Sequence, residues 1–443
     1  MNEINDILEE LKNQAQDTMK ELTGKLSKDL EESAAEHGAI KREREVKDAK
    51  LLLQVLFVYA TSNLSQKMLA VCAFLMGAGN ISDQAWQKKI ICCIPWLTYL
   101  LNDVLLALSL KDRGVYQGEI VHLLDGSIFK QVGKNGKELR LHMDYNLTSG
   151  AMEEIKITDI HTAESVQVLA IKAGHIYVGD AGFGKGKNLA YTVSCKANAL
   201  FRMSPNHVSL ATDSKGKNKI NMLDKLNTKT KVVDFNCFIH SSDGKYIPVR
   251  IIASRLPEDK ALLAKERKRR KASKKQSKLK EETLVYAEWV ILMTSLNSSY
   301  SAERLLEMYR TRWQIELLFK RIKQFFKVTR LRKATLEHSM ALVLIWLIVW
   351  AMTERQAIAA EIYLLEKGAD MELYSPWAVN DFFFRRFQTV INSLWVFSFD
   401  FNLHFLTVYR HLRNHKGRRL NQYALFRFGC ASPMFLCDFA IAA

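Results

Sequence analysis

The sequence predicts an α/β fold in which a mixed sheet with packed helices carries a β-rich insertion and is flanked by helical N- and C-terminal regions. Three observations lead there. Between residues 114 and 205, three strand-type segments are followed by helix, strand, helix and strand, the order of an α/β sheet. Residues 206–299 hold mostly alternating, strand-type segments. Elsewhere the pattern is helical, and only 6 prolines occur in 443 residues. A hydrophobic share of 48% is ample for a core at this length.

The elements follow in order. Residues 1–60 are rich in Glu, Lys, Leu and Ala and read as helix, with residues 1–50 net acidic. Lys67–Met76 reads as a helix, Gly77–Asn80 as a turn and Ile81–Lys89 as a capped second helix, a pattern compatible with a helix-turn-helix. Glu119–Leu124 is a buried-strand run that ends at Asp125-Gly126. Leu139–Tyr145 and Met152–Ile160 alternate as strands. A helix over Ala163–Lys172 leads to the strand His175–Val178, and a helix over Lys187–Lys196 leads to the strand Ala199–Met203. In the insertion, Val232–Ile239 and Tyr246–Arg255 form a hairpin around Asp243-Gly244, and Glu288–Met293 is a further strand. From Ser301 the chain is helical. The expected boundaries are 1–113, 114–205, 206–299, 300–335 and 336–443.

Composition narrows the function. A net charge of +17 and a pI near 9.4 draw the chain to polyanions, nucleic acid first. Lys265–Lys280 (KERKRRKASKKQSKLK) holds ten Lys or Arg in sixteen residues, a candidate for phosphate contact. A second basic cluster spans Arg410–Arg419. Seven cysteines without a C-x-x-C pair point to reduced thiols rather than a disulfide frame or zinc site. The start, MNEINDILEELK, is not a signal peptide. The apolar run Met340–Met352 is shorter than the roughly 20 residues that span a bilayer and reads as a buried helix, so no membrane partner is expected.

The stretch VGDAGFGKGKN (Val178–Asn188) begins like a phosphate-binding loop. Gly186 stands where that loop needs Ser or Thr, and the dinucleotide fingerprint also fails. What remains is Asp180, at the end of a short apolar strand. The glycines are expected to let a DNA backbone come close. His122, His142, His161 and His175 lack zinc-site spacing and read as strand or loop residues, and Asp144, Asp159 and Glu164 are weak stand-ins for a metal ligand. On one continuous helix over Ser301–Gln324, Ile315, Leu318, Phe319, Ile322, Phe325 and Phe326 form the core face. Tyr309, Arg312, Glu316, Lys320 and Lys323 gather opposite, within roughly 80°. A ladder of i,i+4 ion pairs explains part of that stripe.

The order Tyr309, two residues, Arg312, three residues, Glu316, six residues, Lys323 resembles the Y-R-E-K signature of the IS4-type DDE transposases. Asp125 at a strand end resembles the first catalytic aspartate of that family and Asp180 the second. Arg202 after the next strand, the long β-insertion and Trp289 also match. The resemblance covers roughly residues 80–355. It implies an RNase H-like catalytic domain in which Asp125, Asp180 and Glu316 hold two Mg²⁺ ions about 4 Å apart, with Mn²⁺ able to substitute. It implies phosphate contacts from Tyr309, Arg312 and Lys323, with Lys320 and Arg202 beside them. It implies that Trp289 stacks on a flipped base if cleavage runs through a DNA hairpin. The expected activity is cut-and-paste transposition on double-stranded DNA ends, by a dimer, in the bacterial cytoplasm at the nucleoid. Two rivals are a metal-dependent nuclease that never joins and a non-catalytic DNA-binding regulator.

Overall fold

In the computed structural model the described residues are 29–412 without 42–45, 47, 63, 109–118, 132–137, 150, 242–243, 326–333, 369–374 and 397–400, together with Glu10, Asn13 and Asp17. Most of the helix expected before residue 29, Asp243, Phe326 and most of the Arg410–Arg419 cluster lie outside them. Among the described residues, nine strands form one sheet. They are β1 (Val121–Lys130), β2 (Glu138–Asn146), β3 (Ala151–Asp159), β4 (Ile176–Gly179), β5 (Asn198–Arg202), β6 (Leu210–Ala211), β7 (Val232–His240), β8 (Tyr246–Arg255) and β9 (Trp289–Thr294). The spatial order is β3-β2-β1-β4-β5-β9-β8-β7-β6. β1, β4 and β5 run parallel and the remaining pairs antiparallel.

The mixed α/β fold expected from the sequence is present, with one refinement. The β-rich stretch does not form a sheet of its own. β9 pairs with β5 on one side and β8 on the other, which extends the central sheet. The strand β9 has the composition for such a position, since Trp289-Val-Ile-Leu-Met293 is apolar on both faces.

Helices cover both faces. Before the sheet come α1 (Leu30–Glu36), α2 (Ala49–Thr61), α3 (Gln66–Leu75), α4 (Asp83–Cys92) and α5 (Ile94–Leu108). Within it lie α6 (Gly186–Ser194), α7 (Met222–Leu226), α8 (Glu258–Lys274) and α9 (Glu281–Ala287). After it come α10 (Ala302–Arg310), α11 (Trp313–Phe325), α12 (Leu336–Glu366), α13 (Pro376–Val396) and α14 (Phe401–Leu412). Val121, Leu123, Ile176, Val178 and Leu200 face a core shared with α2, α5 and α10–α13. Leu124, Tyr177, Ala199 and Phe201 face a second core with α6 and the inner side of the β7–β8 hairpin. Helix α12 is long and apolar enough to cross a membrane by length and composition, yet 83% of its apolar window is buried inside the protein. Trp346 Nε1 donates to the Ala60 carbonyl at 3.0 Å, and the Tyr59 hydroxyl meets His338 Nε2 at 2.8 Å. Those bonds satisfy polar atoms that burial would otherwise penalise.

Three local expectations change. The segment Ala163–Lys172 is no helix beyond a 3₁₀ turn at Val166–Val168. Ser165 caps that turn through Gln167 N–H, and the Lys172 N–H donates to the Tyr177 hydroxyl at 2.8 Å, which takes the backbone out of the helical ladder. The helix expected over Ser301–Gln324 breaks between α10 and α11. The Thr311 hydroxyl donates back to the Met308 carbonyl at 2.6 Å and Arg312 N–H reaches only to Tyr309 O, and such back-bonding bends helices. Glycines of the 179–186 loop pack against the chain itself rather than leaving room for DNA. A Cβ on Gly184 would lie 2.0 Å from the Arg202 carbonyl oxygen, and one on Gly186 1.9 Å from that of His240.

Gly186 therefore wedges the start of α6 onto the end of β7. Gly186→Ala is expected to destabilise the fold by about 1–3 kcal/mol through overpacking. Urea unfolding measures this, and an unchanged midpoint would refute the tight contact.

Candidate active site

The site begins with strand register. β1 and β4 are parallel neighbours, with Leu124 opposite Gly179. One step further, Asp125 comes opposite Asp180 at a strand spacing near 4.8 Å. Asp125 alternates with Val121 and Leu123, and Asp180 with Ile176 and Val178, so both lie on the face covered by α10 and α11. β4 ends at Gly179 while β1 continues to Lys130, so Asp125 sits within its strand rather than at its end. The edge beyond β4 lies at the carboxyl end of a parallel strand, the place where open α/β sheets bind ligands.

Helix α11 brings the third carboxylate. Ile315, Leu318, Phe319 and Ile322 are buried as expected and press the helix onto β1. That leaves Glu316 on the flank facing the aspartates. Burial pushes the Asp125 carboxyl from 3.8 up to about 7, and the charges of Asp180 and Glu316 push the same way against the Gly126 N–H and Arg312. The Asp125 and Asp180 side chains accept from the Gly126 and Gly182 N–H groups, both at 2.8 Å.

The cations divide into two groups. Arg312 Nη2 donates to Glu316 Oε1, and its guanidinium lies 5.6 Å from the Tyr309 ring centre. Burial works against the Arg312 charge, but Tyr309 and Glu316 outweigh it and hold its pKa above the ordinary value. Arg312 Nε and the Tyr309 hydroxyl are buried without a hydrogen-bond partner among the described residues. Two such orphans side by side suit an incoming anionic oxygen. Lys323 is half-buried, 5.5 Å over the Phe129 ring; burial lowers its pKa while Asp125 raises it. Lys320 and Arg202 are exposed, with Arg202 alternating with Leu200 on the carboxylate face.

Trp289 is placed differently. It is 1% exposed, belongs to the core on the opposite face, and has the Arg255 guanidinium 5.1 Å from its ring centre. The buried-core role fits this placement, and base stacking would need Arg255 to leave.

Sequence reasoning set aside His122, Asp144 and Glu164 and missed Glu153, and the structure brings them into two features. Glu164 lies against the Asp180 loop, where burial and the Asp180 charge push its carboxyl up. A second cluster joins His122, Asp144 and Glu153, whose ligating atoms lie within 4.8 Å of one another and could hold a metal. His122 Nδ1 meets Asp144 Oδ1 and His122 Nε2 meets His175 Nδ1, both at 2.8 Å. A register shift between β2 and β3 at Asp144/Tyr145 accompanies the turn of Glu153 toward them. By contrast, His142 bonds the Thr158 hydroxyl, His161 is exposed, and Asp159 accepts from the His161 and Thr162 N–H groups.

A mixed sheet in this order, helices on both faces and acidic residues at the open edge belong to the RNase H-like class of nucleic-acid enzymes. Residues 117–352 match the family described as Transposase DDE domain. The chain belongs to the DDE transposases. It is 31% identical over 311 residues to a protein named as a transposase, InsL, for insertion sequence element IS186A in Escherichia coli strain K12, covering 69% of this chain and 84% of that one. It is 31% identical over 312 residues, with the same shares, to the transposase for insertion sequence element IS421 in Escherichia coli. DDE transposase domains use divalent metal ions. The donor set at Asp125 fits such an ion, because hard, half-buried carboxylate oxygens raise one another's proton affinity there with little positive charge to balance them.

Asp125 sets a pH dependence. Its folded carboxyl holds a proton more tightly than the unfolded chain does, so it stabilises the metal-free fold fully below about 4, and that contribution is lost as pH rises through about 7. The melting temperature of metal-free protein is expected to fall between pH 5 and 8, and Mg²⁺ should raise it more at pH 8 than at pH 5.5. Asp125→Asn should flatten both trends in calorimetry. Equal Mg²⁺ stabilisation at both pH values would refute the assignment.

Proposed function

We propose that this protein is a cut-and-paste transposase that binds the inverted ends of its element, cleaves them and joins them to target DNA. The observation that supports the proposal is that Asp125 and Asp180 stand at neighbouring parallel strands, with Glu316 of α11 near enough for its charge to act on Asp125. A pair of divalent ions, Mg²⁺ by preference and Mn²⁺ in its place, would supply Lewis acidity to the attacking and leaving oxygens. Asp125, Asp180 and Glu316 are the residues that would hold them. Arg312 and Tyr309 grip a phosphate beside the scissile bond through their unpartnered Nε and hydroxyl. Lys323 adds a point charge from the other end of α11, with Lys320 and Arg202 contacting the backbone further out. Water attacks the phosphorus at the element end and breaks the P–O3′ bond, leaving a 3′-hydroxyl and a 5′-phosphate; that hydroxyl then attacks a target phosphodiester and displaces the target strand's own 3′-hydroxyl. Two ends held together imply at least a dimer.

Helix α8 carries most of the Lys265–Lys280 run and buries no residue, so most of its cations face outward to meet phosphate, although Lys265 is paired with Glu288 and Arg270 with Glu266. In α4 only Trp86 and Ile90 are buried, which leaves an exposed surface suited to reading the ends. A nuclease that cuts without joining shares the carboxylates, so the products decide between the two.

The deciding assay uses a supercoiled plasmid bearing the gene's flanking DNA, purified protein and Mg²⁺. Excised fragment and joined product are expected from wild type, with a loss of at least a hundredfold in Glu316→Gln. Cleavage without joining would establish the nuclease, and binding without metal-dependent cleavage a regulator. Separately, replacing Arg267, Lys268, Arg269 and Arg270 with Gln should weaken DNA binding at low salt. The slope of log K against log salt should flatten by about 0.9 for each phosphate that α8 no longer neutralises. An unchanged slope would take α8 out of the DNA interface.

A further inference from the structure

Glu164 is the one carboxylate at the Asp180 loop that no motif selects. Its surroundings are built around it. A Cβ on Gly182 would lie 2.1 Å from Glu164 Oε2 and 3.0 Å from Asp180 Oδ1, and a Cβ on Gly126 would lie 2.9 Å from Glu164 Oε1. Two glycines, one beside each aspartate, thus leave the space that the Glu164 carboxylate fills. Neither needs a left-handed backbone, so close approach rather than conformation explains them.

The carboxylate has no hydrogen bond or ion pair to any described residue, whereas Asp125, Asp180 and Glu316 each have one. Arg140 and Lys185 act on it only through their fields. Two anions crowded together without a donor between them repel, so something fixed must hold them. Asn188, fully buried at the start of α6, does so. Its Oδ1 accepts the Ser165 hydroxyl at 2.9 Å, and its Nδ2 donates to the Phe183 carbonyl at 3.0 Å. One side chain therefore ties the residue after Glu164 to the loop after Asp180. A rigid support under a locally unfavourable pair is what a prearranged cation site requires.

We propose that Glu164 is a fourth carboxylate of the metal site, sharing a divalent ion with Asp180. The proposal rests on the carboxylate site described above. Here Mn²⁺ itself is the probe. Its binding to full-length protein is followed by the electron paramagnetic resonance of free Mn²⁺, without DNA, for wild type, Glu164→Gln and Asp125→Asn. Glu164→Gln is expected to weaken Mn²⁺ binding at least tenfold. The same change should raise the melting temperature of the metal-free protein at pH 8, since it removes repulsion. A purely structural glutamate would lower that temperature and leave Mn²⁺ affinity alone. Gly182→Ala gives a second approach, because its methyl would displace an intact Glu164 and should weaken Mn²⁺ binding as well. Normal Mn²⁺ affinity in Glu164→Gln together with loss in Asp125→Asn would overturn the role of Glu164 and leave the three-carboxylate site standing. Normal affinity in both would overturn the two together.

Discussion

Everything at the site depends on the pairing of β1 with β4. Parallel strands in this register set Asp125 and Asp180 side by side on one face, with buried apolar residues directly beneath them. The same arrangement is electrostatically uncomfortable: burial first, and the neighbouring Asp180 charge after it, push the Asp125 carboxyl up to about 7. Packing elsewhere must therefore hold the aspartates in place. The β4 strand is short and fully buried, and α11 presses onto β1 through Ile315, Leu318 and Ile322. Stability in the cores thus supports a local arrangement that is unstable without a cation.

The chain separates its charges by depth. Acidic side chains gather at the open edge of the sheet, while the densest basic run lies on α8, which buries nothing. A polyanion would meet the exterior first through long-range attraction and then be positioned by a few half-buried cations at the acidic centre. Arg312 and Lys323 have that intermediate depth. Their charge is kept close to the carboxylates, where it lowers the repulsion that a phosphate would feel on entering.

Much of this was legible in the sequence. The strands that carry Asp125 and Asp180, the buried face of α11 and the hairpin of the insertion all follow from apolar periodicity, which survives any detail of tertiary contact. The break at Thr311 was not legible, because a threonine in a helical pattern announces neither its rotamer nor its back-bond to Met308. The continuous stripe from Tyr309 to Lys323 is therefore split across two helices. Glu164 could be named in the sequence only as a weak stand-in for a metal ligand. Its segment reads as helix by composition, and only the closeness of Gly126, Gly182 and Asn188 in space gives it meaning. The glycines of the 179–186 loop look like a ligand loop in sequence because close approach to a ligand and to the chain's own carbonyls select the same residue. Trp289 shows the converse: a strand tryptophan can be placed in order along the chain, but its face of the sheet is settled by pairing with β8.

The Arg312–Glu316 pair couples the acidic centre to the basic surface. In the protein alone the guanidinium partly neutralises the carboxylate, and its Nε and the neighbouring Tyr309 hydroxyl have no partner among the described residues. A cation drawn to Glu316 would compete for the oxygen that Arg312 now holds. Released from that oxygen, Arg312 keeps its charge at any physiological pH and can turn its planar donors to a phosphate. The phosphate in turn supplies acceptors for the two orphaned groups. Metal and DNA would then reinforce each other at the site through one arginine, and the half-satisfied hydrogen bonding of the free protein is what leaves room for that exchange.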